Sequence, residues 1–102
     1  MTQTYAKNTT EVLIAAKWLL ENVGWIKGQQ VHYPHGGSVP DGFCASGAIT
    51  WVMAESYERK FRAYSFLESE MDRDILKFND APHTTKQHVL DAFDRAIQRS
   101  KQ

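Results

Sequence analysis

Residues 8–24 read NTTEVLIAAKWLLENVG, and this stretch decides the fold class. Asn8 is followed three positions later by Glu11, the arrangement in which a capping side chain and a reciprocating carboxylate satisfy amides that a helix start leaves unpaired. Val12, Ala15, Ala16, Leu19 and Val23 then recur at helical spacing. Leu13, Trp18 and Leu20 widen that stripe, and Lys17, Glu21 and Asn22 fall outside it. Gly24 supplies the left-handed residue that commonly closes a helix. The spacing predicts a helix over residues 9–23.

The same logic extends C-terminally. A second helix is expected over residues 43–59, with Asp41 as cap and Ala45, Ala48, Ile49, Val52, Met53 and Tyr57 on its buried face. Gly47 is out of place there, because a glycine inside a helix costs about 1 kcal/mol relative to alanine. It implies close approach of another backbone or a ligand, with a neighbouring helix against the small Ala-Ser-Gly-Ala face as the favoured explanation. The run Arg59-Lys60-Phe61-Arg62 reads as a helix end, where cations oppose the negative end of the dipole. A third helix is expected over residues 65–77, opened by the capping box Ser65-Phe66-Leu67-Glu68 and carrying Leu67, Met71 and Ile75 on one face. Phe78-Asn79-Asp80-Ala81-Pro82 then reads as a turn, since proline disfavours helix in the residue before it. The last helix starts after Thr84, with Gln87 in the capping-box position and Val89, Leu90, Phe93, Ala96 and Ile97 inward.

Between the first two helices the periodicity disappears. Residues 25–42 hold four glycines and two prolines, the composition of a loop. Residues 29–33 have enough β-branched and aromatic character for a short strand, with no equally clear partner following. The expectation is therefore a mainly α, compact four-helix domain spanning residues 1–102, with a long irregular insert that has room for a short β element. A connection of this length in a small domain is more often functional than accidental.

Composition narrows the function. Twelve Lys and Arg balance twelve Asp and Glu, which disfavours binding to nucleic acid or to an anionic membrane. Asp91 and Asp94 beside Arg95 and Arg99 make the last helix a poor phosphate-binding face. No run approaches the roughly eighteen apolar residues of a membrane span, and the N-terminus has no charged region ahead of an apolar core. Cys44 is the only cysteine, so an intrachain disulfide is excluded and a cytoplasmic setting is expected.

Three groups of residues could carry chemistry. Cys44 sits in the opening turn of an expected helix, where amides stabilise a thiolate; His83 is a candidate to serve it as base, and Asp80 or Asp41 to orient a histidine. His32, His35 and His88 are further histidines, yet no cysteine-protease signature is present and packing is the commoner use of such a cysteine. Metal ligation is not expected: His32, His35 and Cys44 lack the paired spacing and fourth ligand of a closed site. No cofactor is expected either, because Gly36-Gly37 lacks the surroundings of a phosphate-binding loop. Trp25, Tyr33, His35, Asn79 and Asp80 are the candidate binding residues, with Asn79 and Asp80 also explained by turn formation. Phe43 and Trp51 are expected in the core.

Leu19-Leu20-x-x-x-Gly24-Trp25-x-x-Gly28, then Gly42-Phe43-Cys44-Ala45-x-Gly47-Ala48-Ile49, then Phe78-Asn79-Asp80 ahead of a final amphipathic helix, occur in that order. The combination resembles a family of small uncharacterised proteins of bacteria and their phages, in which a Gly-Trp ends the first helix, Cys-Ala-x-Gly-Ala opens the second, and a Trp- or Phe-Asn-Asp turn precedes the last. The resemblance implies a shared fold and brings no established activity. The insert over residues 29–40 departs most from that pattern. Size, neutral charge and the absence of a complete catalytic motif point to an accessory protein that binds another macromolecule, a protein, with inhibition of a host system as one such role; a homo-oligomer is a separate option for its own assembly. The alternative is a cysteine-dependent enzyme or small-ligand binder using Cys44.

Overall fold

Asn8 caps the first helix, α1 (Thr9–Asn22), its Oδ1 accepting from the Glu11 N–H at 2.9 Å, an interaction worth about 1 kcal/mol. The computed structural model describes residues 8–52, 57–71 and 74–102, with the side chains of 57–60 left aside. The remaining helices are α2 (Ala45–Val52), α3 (Tyr57–Met71), α4 (Ile75–Asp80) and α5 (Lys86–Ser100). Two short strands, β1 (Val31–His32) and β2 (Gly42–Phe43), pair antiparallel with Val31 opposite Phe43, and a single 3₁₀ turn occupies Pro34–Gly36. None of the described helices is long and apolar enough to cross a membrane.

The core forms where α1 lies against α2, α3 and α5. Val12, Leu13, Ala16 and Leu20 of α1 are fully buried, together with Ala63 and Leu67 of α3 and Val89, Ala92, Phe93 and Ala96 of α5. Small side chains recur on all three helices. They let the helix axes approach, while Phe93, Leu13 and Leu67 fill the remaining space. Polar contacts fasten the outside of this arrangement. Lys17 Nζ lies 2.7 Å from Asp94 Oδ1, and that bond holds the ammonium above its usual range against the opposing effect of burial. Glu70 of α3 receives Arg95 Nε at 3.3 Å and Arg99 Nη1 at 3.2 Å from α5. Because the arginines are half exposed, each pair contributes under about 1 kcal/mol.

Several expectations change. The expected helix over residues 65–77 is two elements, and Ser65 starts neither. Ala63, Leu67 and Met71 continue one buried stripe across it, so the capping-box pattern at Ser65 lies inside α3, where its amides already have helical partners. The new start is at Asp74, whose Oδ1 accepts from the amides of Leu76 and Lys77. The Arg59-Lys60-Phe61-Arg62 run falls in the early turns of α3 rather than at a helix end. The second helix begins at Ala45, two residues later than expected, because Gly42 and Phe43 pair with β1. Asp41 consequently does not cap it. Residues 53–56 of the expected helix, Met53 among them, lie outside those described, as does the side chain of Tyr57, and residues 57–59 belong to α3. α5 is capped by Thr85, and His88 fills the reciprocal position expected of Gln87: the Thr85 N–H donates to His88 Nδ1 at 3.1 Å, and the His88 N–H to Thr85 Oγ1 at 3.2 Å. Trp51 is 46% exposed rather than core, packing edge-on against buried Phe43 with ring centroids 5.5 Å apart. Trp18, at 56% exposure, likewise lies outside the buried stripe of α1.

Candidate functional site

Asn79 is the point on which the distant parts of the chain converge. Its side chain is completely buried, and a primary amide can accept two hydrogen bonds and donate two. All four are made. Oδ1 accepts from Trp25 Nε1 at 2.7 Å and from the Ala45 N–H at 3.0 Å. Nδ2 donates to the Ile26 carbonyl at 3.0 Å and to Asp80 Oδ1 at 2.9 Å. That carboxylate oxygen also accepts from the Gly28 N–H at 3.0 Å. Lys27 completes the clasp, its Nζ donating to the Ala81 carbonyl at 2.6 Å while lying 5.6 Å from the Trp25 ring centroid.

The local sequence explains why Asn79 can do this. Pro82 forces Ala81 into extended backbone, with ψ 143°, so α4 stops at Asp80. Asn79 and Asp80 are therefore the last residues of a helix rather than a turn. The chain leaving α1 runs alongside: Gly24, at φ 153°, accepts from the Phe43 N–H through its carbonyl at 2.9 Å, and the Ile26 N–H returns a bond to the Phe43 carbonyl at 3.0 Å. Gly47 faces the backbone of Gln30, whose carbonyl accepts from the Cys44 N–H at 3.0 Å. The close neighbour expected at Gly47 is thus the insert, and not another helix. The Gly-Trp, Cys-Ala-x-Gly-Ala and Phe-Asn-Asp segments meet in one hydrogen-bonded knot. All four hydrogen-bonding positions of Asn79 are filled within this knot, which leaves its side chain no capacity for a ligand, while Trp25 Nε1 and Asp80 Oδ1 are engaged in holding it.

A family model described as a family of unknown function, DUF6197, matches residues 4–99. This chain belongs to that family. No curated protein and no solved structure matches it. Membership in DUF6197 accounts for nearly the whole chain as one related unit and assigns it no activity.

Cys44 lies just ahead of α2 and is 1% exposed. Its Sγ accepts from the Gly47 N–H at 3.3 Å, taking the place of a capping oxygen. Burial pushes the thiol above its ordinary value, and this outweighs the amides of Gly47 and Ser46, which act the other way. No hydrogen bond links Cys44 to a histidine among the described residues. His83 stands on the turn after α4 and lines a groove with His88, apart from the thiol's own contacts. Among the described residues, no three His, Cys, Asp or Glu side chains are placed to hold a metal ion. We expect native Cys44 to react with iodoacetamide at least about a hundredfold more slowly than the same thiol in urea. The rate should climb only with denaturant or alkaline pH, and fast labelling of the native protein at pH 7 would show the thiol to be available for chemistry.

The insert has a different character. At its base β1 pairs with β2, the Asp41 N–H donates to the His32 carbonyl at 2.9 Å, and His32 Nδ1 lies 2.6 Å from Asp41 Oδ1. Asp41, first read as a helix cap, thus closes the loop. At its tip His35 adopts φ 52°, the left-handed region uncommon for a residue with a Cβ, beside Gly36 at φ 72°. Tyr33 is 40% exposed and Val39 74%. Tyr33 and His35, two of the sequence candidates, are therefore on the surface of a loop with pinned ends, whereas Asn79 is buried, Trp25 is half-buried, and exposed Asp80 has its Oδ1 committed to Gly28 and Asn79. Sequence reasoning missed Val39, which carried no signal beyond its position between turn residues.

Proposed function

We propose that this protein is a non-enzymatic accessory factor that binds another protein through the insert between β1 and β2. The observation that carries this reading is the presentation of Tyr33, His35 and Val39 on a loop closed at its base by a strand pair and the His32–Asp41 contact. A tethered loop loses less conformational entropy on binding than a free one, and an exposed aromatic and an exposed aliphatic side chain on the same loop supply apolar surface of the kind protein interfaces use. The buried, upshifted Cys44 gives the cysteine-enzyme alternative no comparable support. The resemblance to small proteins of bacteria and phages favours an origin of that kind, with modulation or inhibition of a host protein as the corresponding role.

The test compares the wild-type chain with a Tyr33→Ser, Val39→Asp variant as baits in bacterial lysate, followed by direct titration of any retained protein. Both sites are exposed, so the variant should keep its unfolding midpoint. A partner held by the wild type should bind the variant at least tenfold more weakly. Equal affinity for both baits would remove the insert from the interface.

A further inference from the structure

A second concave feature lies away from the insert. Met71, Phe78 and Ala81 floor a groove of about 460 Å³ between α4 and α5, and His83, Thr84, His88, Asp91 and Arg95 form its rim. The volume falls in the range of small-molecule sites, roughly 300–1,000 Å³, and the pairing of an apolar floor with a few polar groups is their usual chemistry. We propose that this groove binds a small organic monocarboxylate carrying an apolar body.

The hydrogen-bonding capacity left on the rim decides the class of ligand. His88 Nδ1 accepts the Thr85 N–H, so the neutral ring carries its proton on Nε2 and offers a donor. Arg95 commits Nε and Nη2 to Glu70, leaving Nη1 uncommitted. His83 makes no hydrogen bond or ion pair among the described residues, and the Thr84 hydroxyl is a further donor. Against these, among the described residues that line the groove, stands one acid, Asp91, and its Oδ1 already accepts from Gln87 Nε2 at 2.8 Å. Donors in excess match the oxygens of a carboxylate. The thioether and ring of the floor match an alkyl or aryl body, while Asp91 repels a second negative charge and restricts the site to a monoanion.

The experiment is an NMR titration of the full chain labelled at its methionine methyls, following Met71 with hexanoate, hexanol, hexylamine and adipate in turn. Hexanoate should shift the Met71 methyl saturably and bind at least tenfold more tightly than hexanol or adipate. His83→Ala should weaken hexanoate about fivefold, the effect of one lost hydrogen bond, and Asp91→Asn should strengthen it and admit adipate. Both substituted side chains are exposed, so the fold should be retained, and an unchanged unfolding midpoint verifies it. Equal binding of hexanol and hexanoate would reduce the groove to an apolar crevice. Tighter binding of hexylamine, or no saturable shift with any probe, would overturn the proposal.

Discussion

Gly47→Ala is expected to destabilise the protein by about 3 kcal/mol, although helix propensity alone favours alanine by about 1 kcal/mol. The sign is decided by what a Cβ at this position would meet. It would press on the Gln30 carbonyl oxygen and lie 2.7 Å from the carbonyl carbon, and backbone atoms cannot rotate aside as a flexible side chain could. Relief requires the insert to move off α2. That movement would break the bond from the Cys44 N–H to the Gln30 carbonyl and disturb the adjoining pair of Val31 with Phe43. Equilibrium urea unfolding measures the effect through its midpoint, with an unchanged slope indicating that the folded state keeps its extent. A variant as stable as wild type, or more so, would mean that helix propensity governs the site and the close approach does not.

Asn79→Leu is expected to cost a similar amount, again about 3 kcal/mol, through a different mechanism. Leucine has the branching and heavy-atom count of asparagine with bulkier ends, so no cavity is created. What changes is that the Ala45 N–H, in a fully buried residue, and the Trp25 indole N–H lose their acceptor, while the Ile26 carbonyl loses its donor. Each buried group left unpaired costs about 1–3 kcal/mol. Trp25 and Ile26 are only partly buried and recover some of their loss to water, which keeps the total near the lower end of the sum. Asn79→Asp separates the two halves of the amide. It retains the acceptor for Trp25 and Ala45 but sets a carboxylate against Asp80 Oδ1, which lies 2.9 Å from Asn79 Nδ2. The paired acids should titrate together with one proton held above the ordinary carboxylate range. Stability that is present below about pH 4 is then lost as pH rises, so the Asp variant should approach wild type in acid and the Leu variant should not. Unfolding both variants at pH 4 and pH 7 distinguishes them, and identical pH profiles would show that Asn79 acts by shape alone.

The two substitutions mark different limits of reading this chain. Gly47 was visible as an anomaly, because a residue that weakens a helix needs a compensating contact, and only the identity of the contact was out of reach. Asn79 stood out only as a binding or turn candidate, and its role as a buried tie between distant segments was not visible. Beside Asp80 and close ahead of Pro82 it has the local chemistry of a turn, and its partners Trp25, Ile26 and Ala45 lie 34 to 54 positions away. Cys44 belongs between them. Its place at the start of α2 followed from local pattern, while the burial that raises its thiol depends on tertiary packing.

The sequence by itself determined the mainly helical class, the full course of α1, the inward face of α5 and the irregular character of the insert. Those features rest on capping, periodicity and backbone restriction, which act over a few residues and are written in consecutive positions. Tertiary structure alone decided the partner of β1, the division of residues 57–80 into α3 and α4, the exposure of Trp51 and the occupation of Asn79 by four hydrogen bonds. Each of these depends on which groups meet across long stretches of chain, where the cost of leaving a polar group unpaired overrides the local preference of the residue that carries it.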